Sequence, residues 1–155
     1  MVDTVGRSAW TPSNPLPQII VSKHNIFNGT REWIQRSGGR YDRDEATAIA
    51  LRGAHIYVLG ETQQTGKDRQ CVLSCLEKAS GKELYSKVFG SSGDDSCRSM
   101  VVDDGGHIYV TGSAAAADGD FLGSVHGKAD VLVMKLKATG NDFFIIWTSL
   151  YGGAG

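Results

Sequence analysis

The stretch HIYVLG at residues 55–60 returns as HIYVTG at residues 107–112, five of six residues identical at a spacing of 52. β-Branched and aromatic residues of this kind suit a pleated, half-buried strand. Each copy follows a short apolar run, ATAIAL at residues 46–51 and SMVV at residues 99–102. Between run and copy stand RGA in the first case and DDGG in the second. Asp-Gly and Gly-Gly between apolar runs signal a tight hairpin, because such turns need positive φ. Two antiparallel strands are therefore expected at each place.

The match extends outward from these hairpins. At the same spacing Ile49 meets Val101, Ala48 meets Met100, Asp42 meets Asp94, Gly38 meets Gly90 and Trp33 meets Tyr85. Downstream, CVLSCLEKASG (71–81) pairs with VLVMKLKATG (131–140) at an offset of 60 that slips to 59. The extra residues fall in 114–127, a Gly-rich and small-residue stretch where a loop insertion is cheap. WTSLYGGAG (147–155) then matches YSKVFGSSG (85–93) at an offset of 62. The repeat thus holds four antiparallel strands, and no segment keeps a helical period over three turns. Four-stranded units at this period are the signature of β-propeller blades, whose two apolar faces are covered by neighbours and whose edges are protected by the ring. The short apolar runs 46–51 and 99–102 are the expected inner strands.

The expected organisation is all-β, an incomplete propeller of about two blades. Residues 1–30 read as a tail or linker, because Pro12, Pro15 and Pro17 cannot sit inside a helix or a central strand. Residues 31–39 read as the outer strand of a preceding blade whose other three strands are missing. Blades are expected at 40–90 and at 91–155, the second with its insertion at 114–127. The chain is therefore expected to be a piece of a longer propeller, completed by neighbouring blades or by identical chains.

Composition narrows the class. The 155 residues carry 16 Lys plus Arg against 17 Asp plus Glu, a net charge of −1 that argues against a nucleic-acid footprint. The longest uncharged apolar run, 143–147, is far short of the ~20 residues of a membrane-spanning helix. No basic segment followed by an apolar one occurs in the first 30 residues. Twenty glycines imply many turns. The three cysteines, Cys71, Cys75 and Cys97, are an odd number. Cys71 and Cys75 lie on one face of an expected strand, but roughly 13 Å apart at ~3.3 Å per residue, beyond the ~7 Å limit for a bridge. Free, buried thiols are the expectation.

The segments GSSGDDSCRSMVVDDGGHIYVTG (90–112), Asp120-Phe121, GKADVLVMKLKATG (127–140) and IIWTSLYGGAG (145–155) resemble the seven-bladed β-propeller repeat family. Its consensus runs roughly G-x-x-G-D-D-x-A-x-x-I-A-V-D-x-x-G-N-I-Y-V-T-G, then D-F-P, D-A-F-V-x-K-L and L-W-S-T-Y-L-G-G. The resemblance covers residues 31–155, more loosely in the first copy. His55 and His107 replace the usual Asn, Leu122 replaces the Pro after D-F, and Leu51-Arg52 replaces V-D. The resemblance implies a propeller fold and leans toward an extracellular or surface location. It implies no common activity.

Candidate chemistry is sparse. GETQQTGK (60–67) has five residues between its glycines and Asp68 after its Lys, and GSVHGK (123–128) has three, so neither is a phosphate loop. Asp94, Asp95, Asp118 and Asp120 are the candidate ligands for a hard cation, set against ordinary turn capping. Asp103 and Asp104 fall in the same acidic-loop class. His24, His55, His107, His126 and Cys97 lack metal-ligand spacing. GSSG (90–93) is one residue short of a nucleophile elbow. Asn28-Gly29-Thr30 is a glycosylation sequon, relevant only to a secreted chain. Trp33, Tyr85 and Trp147 share one repeat position and read as packing residues. No catalytic residue and no cofactor is expected. The expected inner strands offer Thr47 and Ser99 and nothing that titrates. That favours a non-catalytic structural or interaction module, binding a protein or glycan, over part of an enzyme whose central-channel site includes further blades.

Overall fold

The computed structural model describes residues 2–7, 18–37, 43–64 and 66–153. They form eleven strands and, among the described residues, no helix: β1 (Val2–Arg7), β2 (Ile19–His24), β3 (Arg31–Ser37), β4 (Arg43–Arg52), β5 (His55–Gln63), β6 (Gln70–Glu77), β7 (Glu83–Phe89), β8 (Ser96–Val102), β9 (His107–Ala114), β10 (Asp130–Ala138) and β11 (Phe143–Tyr151). Three antiparallel sheets follow chain order: an N-terminal sheet β1-β2-β3, a middle sheet β4-β5-β6-β7 and a C-terminal sheet β8-β9-β10-β11. The all-β, four-stranded reading of residues 43–151 holds.

The tail reading of residues 1–30 does not hold. β1 and β2 lie there, paired Val2 to His24 through Arg7 to Ile19, and β2 pairs with β3. Pro12, Pro15 and Pro17, which suggested a tail, lie in the connection between the two strands and outside the described residues. A proline run excludes a strand only where it stands. Two of the three strands expected to be missing before β3 are thus present.

The registers show that the three sheets are copies of one unit. β2–β3 shifts register between Lys23 and His24, β6–β7 between Cys75 and Leu76, and β10–β11 between Lys135 and Leu136. A bulge at the same place in each pair makes Lys23, Cys75 and Lys135 equivalent, with cross-strand partners Trp33, Tyr85 and Trp147. The first and second strands share a second bulge, between Ala46 and Ala48 and between Cys97 and Ser99.

These pairings also correct the expected alignment of the first strands. Ile49 and Met100 face the equivalent residues Val58 and Val110. Ile49 therefore corresponds to Met100, not Val101, and Ala48 to Ser99, not Met100. The first hairpin turn is one residue shorter than the second, so the offset of 52 becomes 51 across it. A one-residue slip moves every side chain to the opposite face. Met100 is indeed buried and Val101 is 62% exposed.

The middle sheet is covered on both faces. Ile56, Val58, Val72 and Leu76 pack against Ile19 and Val21 of the N-terminal sheet. Tyr57, Leu59, Cys71, Leu73 and Phe89, on the other face, pack against Ile108, Val110, Leu132, Met134 and Leu136 of the C-terminal sheet. Leu59, Leu73, Phe89, Leu132 and Met134 are fully buried, each such side chain contributing about 1.5–3 kcal/mol over its exposed state. Among the described residues nothing covers the far face of the C-terminal sheet: Val101, Val131, Trp147 and Tyr151 stand there, more than two-fifths exposed.

A disulfide joins the two larger sheets. Cys71 at the start of β6 is bonded to Cys97 at the start of β8, with Cα atoms 5.6 Å apart. The free-thiol reading therefore fails for these two and stands only for Cys75, which is buried and free. The argument against a Cys71–Cys75 bridge was sound. It left out the stacking of sheets, which brings the third strand of one unit against the first strand of the next.

Candidate functional site: the long-loop rim

In an up-and-down sheet, connections alternate between two ends. One end of the two larger sheets carries tight turns at 53–54, 78–82, 103–106 and 139–142. The other end carries the longer connections 64–69, 90–95 and 115–129. Loops of that length on a rigid scaffold are the places where binding residues gather. At this rim a cleft of about 460 Å³ lies between the 64–69 and 90–95 connections, lined by Thr62, Gln64, Lys67, Asp68, Gln70, Ser91 and Ser92, with Val88 at its side.

The cleft wall is built by hydrogen bonds to backbone. The Gln70 carboxamide donates to the Ser91 carbonyl at 2.8 Å. A Cβ on Gly90 would come within 2.4 Å of that carboxamide, so only glycine lets Gln70 reach the loop. The same arrangement recurs one unit on, where a Cβ on Gly152 would collide with the carboxylate of Asp130, the residue equivalent to Gln70.

All four sequence-derived metal candidates converge on this loop. Asp94 accepts from the Arg69 amide at 2.8 Å. Asp95, buried, accepts from the Ser91 amide at 2.6 Å and the Ser91 hydroxyl at 2.8 Å. Asp118 accepts from the Ser92 amide at 2.6 Å, and Asp120 from the Gly90 amide at 3.1 Å. The four carboxylates thus tie the insertion 115–129 and the 64–69 loop to residues 90–95. Burial raises the Asp95 pKa, against the lowering effect of the Ser91 bonds. The Ser92 hydrogen bonds lower that of Asp118. No group of three or more His, Cys, Asp or Glu side chains is arranged to hold a metal among the described residues.

The histidines are dispersed. His107 sits 3.1 Å from Asp103, which also accepts from the His107 amide and the Tyr109 hydroxyl. His24 lies 3.1 Å from both the Ser22 hydroxyl and the Gly29 carbonyl. His126 is 3.6 Å from Asp130, and His55 stacks near Tyr57. Residues 60–63 of the rejected phosphate loop are strand β5, and a Cβ on Gly60 would press on the Glu45 carbonyl at 2.5 Å.

A charged cluster at the same rim was not read from the sequence. β4 begins at Arg43 and β8 at Ser96, earlier than the apolar runs suggested, so the first strands do carry titratable residues. Glu61 is buried, with Arg69 at 3.1 Å and Arg98 at 3.5 Å. A smaller cleft of about 200 Å³ beside it is lined by Arg43, Glu45, Glu61, Gln63 and Arg69. These residues come from two strands and a loop, with Arg98 from a third strand, so no local motif announces them.

No protein-family model matches the chain, and no curated protein matches it.

Proposed function

We propose that the chain is part of a β-propeller of the seven-bladed β-propeller repeat family and acts as a non-catalytic interaction module. Its long-loop rim presents the Lys67–Gln70–Ser91 cleft to a protein or glycan partner. The supporting observation for the fold is the equivalence of the open and covered faces. Val131, Val133, Trp147 and Tyr151 of the C-terminal sheet occupy the registers of Cys71, Leu73, Tyr85 and Phe89, which the next sheet covers in the middle unit. A further blade, from a neighbouring segment or an identical chain, fits that face.

For the rim, the supporting observation is a polar cleft beside connections that Asp94, Asp95, Asp118 and Asp120 pin to backbone amides. A backbone-amide NMR titration with a panel of oligosaccharides and short peptides tests the reading. Shifts confined to Lys67, Gln70, Ser91 and Ser92, weakened by Gln70→Ala, are expected. Shifts confined to the short-turn rim, or turnover of an added compound, would overturn it.

A second reading rests on the charged cluster at the first-strand ends. In it, Glu61, Arg69 and Arg98 belong to a propeller enzyme whose central-channel site is completed by further blades. Turnover lost in Glu61→Gln, with folding retained, would favour that reading.

A further inference from the structure

We infer that Asn28 is an N-glycosylated residue. Three independent features of the structure point there. The turn joining β2 to β3 carries the sequence Asn28-Gly29-Thr30, and both Asn28 and Thr30 are exposed. Such a turn is the surface setting that a glycosylation acceptor needs.

The second feature is the state of the carboxamide. The Thr30 amide and hydroxyl both donate to Asn28 Oδ1, at 3.0 and 2.8 Å. A backbone N–H can only donate, so this fixes which side-chain atom is oxygen and which is nitrogen. Asn28 Nδ2, the atom that would carry the sugar, has no hydrogen-bond partner among the described residues. Gly29, at φ +70°, supplies the left-handed turn that brings Thr30 back over Asn28. Phe27 next to it is 91% exposed, an apolar ring that a first sugar would cover.

The third feature is the Cys71–Cys97 disulfide. Structural disulfides form and persist in oxidising compartments, the same route along which sequons meet their transferase. The sequon, neutral in a reducing compartment, acquires its meaning from this bond.

The modification is a group transfer without redox change. Asn28 Nδ2 forms a bond to the anomeric carbon of a lipid-diphosphate-linked oligosaccharide and gives up one proton to a base of the transferase. The carbon–oxygen bond to the diphosphate breaks, and the diphosphate leaves with the electron pair. The turn lies at the short-turn end of its sheet, so the glycan would leave the long-loop cleft open.

The test is peptide mass spectrometry on the protein isolated from its own cells, after enzymatic deglycosylation in heavy-oxygen water. Labelled Asp at position 28 is expected, lost in Thr30→Ala and kept in Thr30→Ser expressed in the same cells. The Thr30→Ser variant keeps both the sequon and the hydroxyl bonded to Asn28 Oδ1, so its retained label shows that the hydroxyl, and not the Thr methyl, is what the modification requires. Unmodified Asn28 in that material would overturn the inference, whatever the state of the cysteines.

Discussion

Cys71 in β6 and Cys97 in β8 belong to different sheets, yet their bond is the one covalent link between them apart from the 90–95 connection. It closes a loop across a sequence separation of 26 at the rim where the cleft lies. Much of what can be tested about this molecule follows from that placement.

Closing a loop of this size restricts the unfolded chain by about 3.5 kcal/mol on the chain-entropy account. Reduction, or Cys97→Ser, is expected to lower the unfolding free energy by about that amount, read as a lowered urea midpoint with a steeper slope, because the freed unfolded chain exposes more surface. Superimposable oxidised and reduced curves would contradict the assignment.

Thiol counting gives an independent check. Cys75 is buried, and that burial raises its pKa. A thiolate reagent should find no thiol in the native protein, one after denaturation without reductant, and three after reduction. Three without reductant would mean that the bridge is absent.

Gly60 and Gly112 stand at equivalent places inside β5 and β9, and both meet the neighbouring strand too closely for a side chain. A Cβ on Gly112 would fall 1.8 Å from the Ser96 carbonyl oxygen, and one on Gly60 2.5 Å from that of Glu45. Backbone cannot swing aside as a flexible side chain can. Gly112→Ala is expected to cost at least the ~1–3 kcal/mol of ordinary overpacking, and more than Gly60→Ala. Gly153→Ala, with nothing within 4 Å, should leave the thermal midpoint unchanged.

Acid should open the rim locally. A carboxylate whose folded pKa lies below its unfolded value adds stability above the unfolded pKa, and that stability is lost as pH falls through the folded one. Asp118, lowered by its Ser92 bonds, is of this kind. Asp95, raised by burial, has the opposite sign: its contribution is lost as pH rises through its folded pKa. Amide exchange at Ser92, corrected for the intrinsic rate, should therefore quicken only below the ordinary carboxylate range. Asp118→Ala, which removes the acceptor, should make it fast throughout. Exchange at Ser92 that does not change with acid would contradict the assigned bond.

The hairpins were legible because a Gly-bearing turn between two apolar runs leaves few alternatives to antiparallel pairing. The third and fourth strands were legible because Cys71 and Val131 open runs that alternate or stay apolar. β1 was not: VDTVGR carries no apolar alternation, and its partnership with β2 spans a proline-rich connection. Its register sets Gly6 level with Gly60 and Gly112, a correspondence visible only once the bulges align the sheets. The alignment of Ile49 with Met100 was missed because the turn length, not the strand, absorbs the missing residue. The rim cluster of Glu61, Arg69 and Arg98 and the Cys71–Cys97 bond were illegible for a common reason. Both join residues through the stacking of units, which periodicity within one strand does not encode. The four aspartates were found by composition, but their turn partners emerged only from the fold.

The central claim is that the open face of the C-terminal sheet is a blade-to-blade face. Static light scattering over a range of concentrations, on the wild-type chain and on Val131→Glu, tests it most directly. The account predicts a mass that rises with concentration for the wild type and stays at one chain for the variant. A wild-type mass fixed at one chain at every concentration would contradict it.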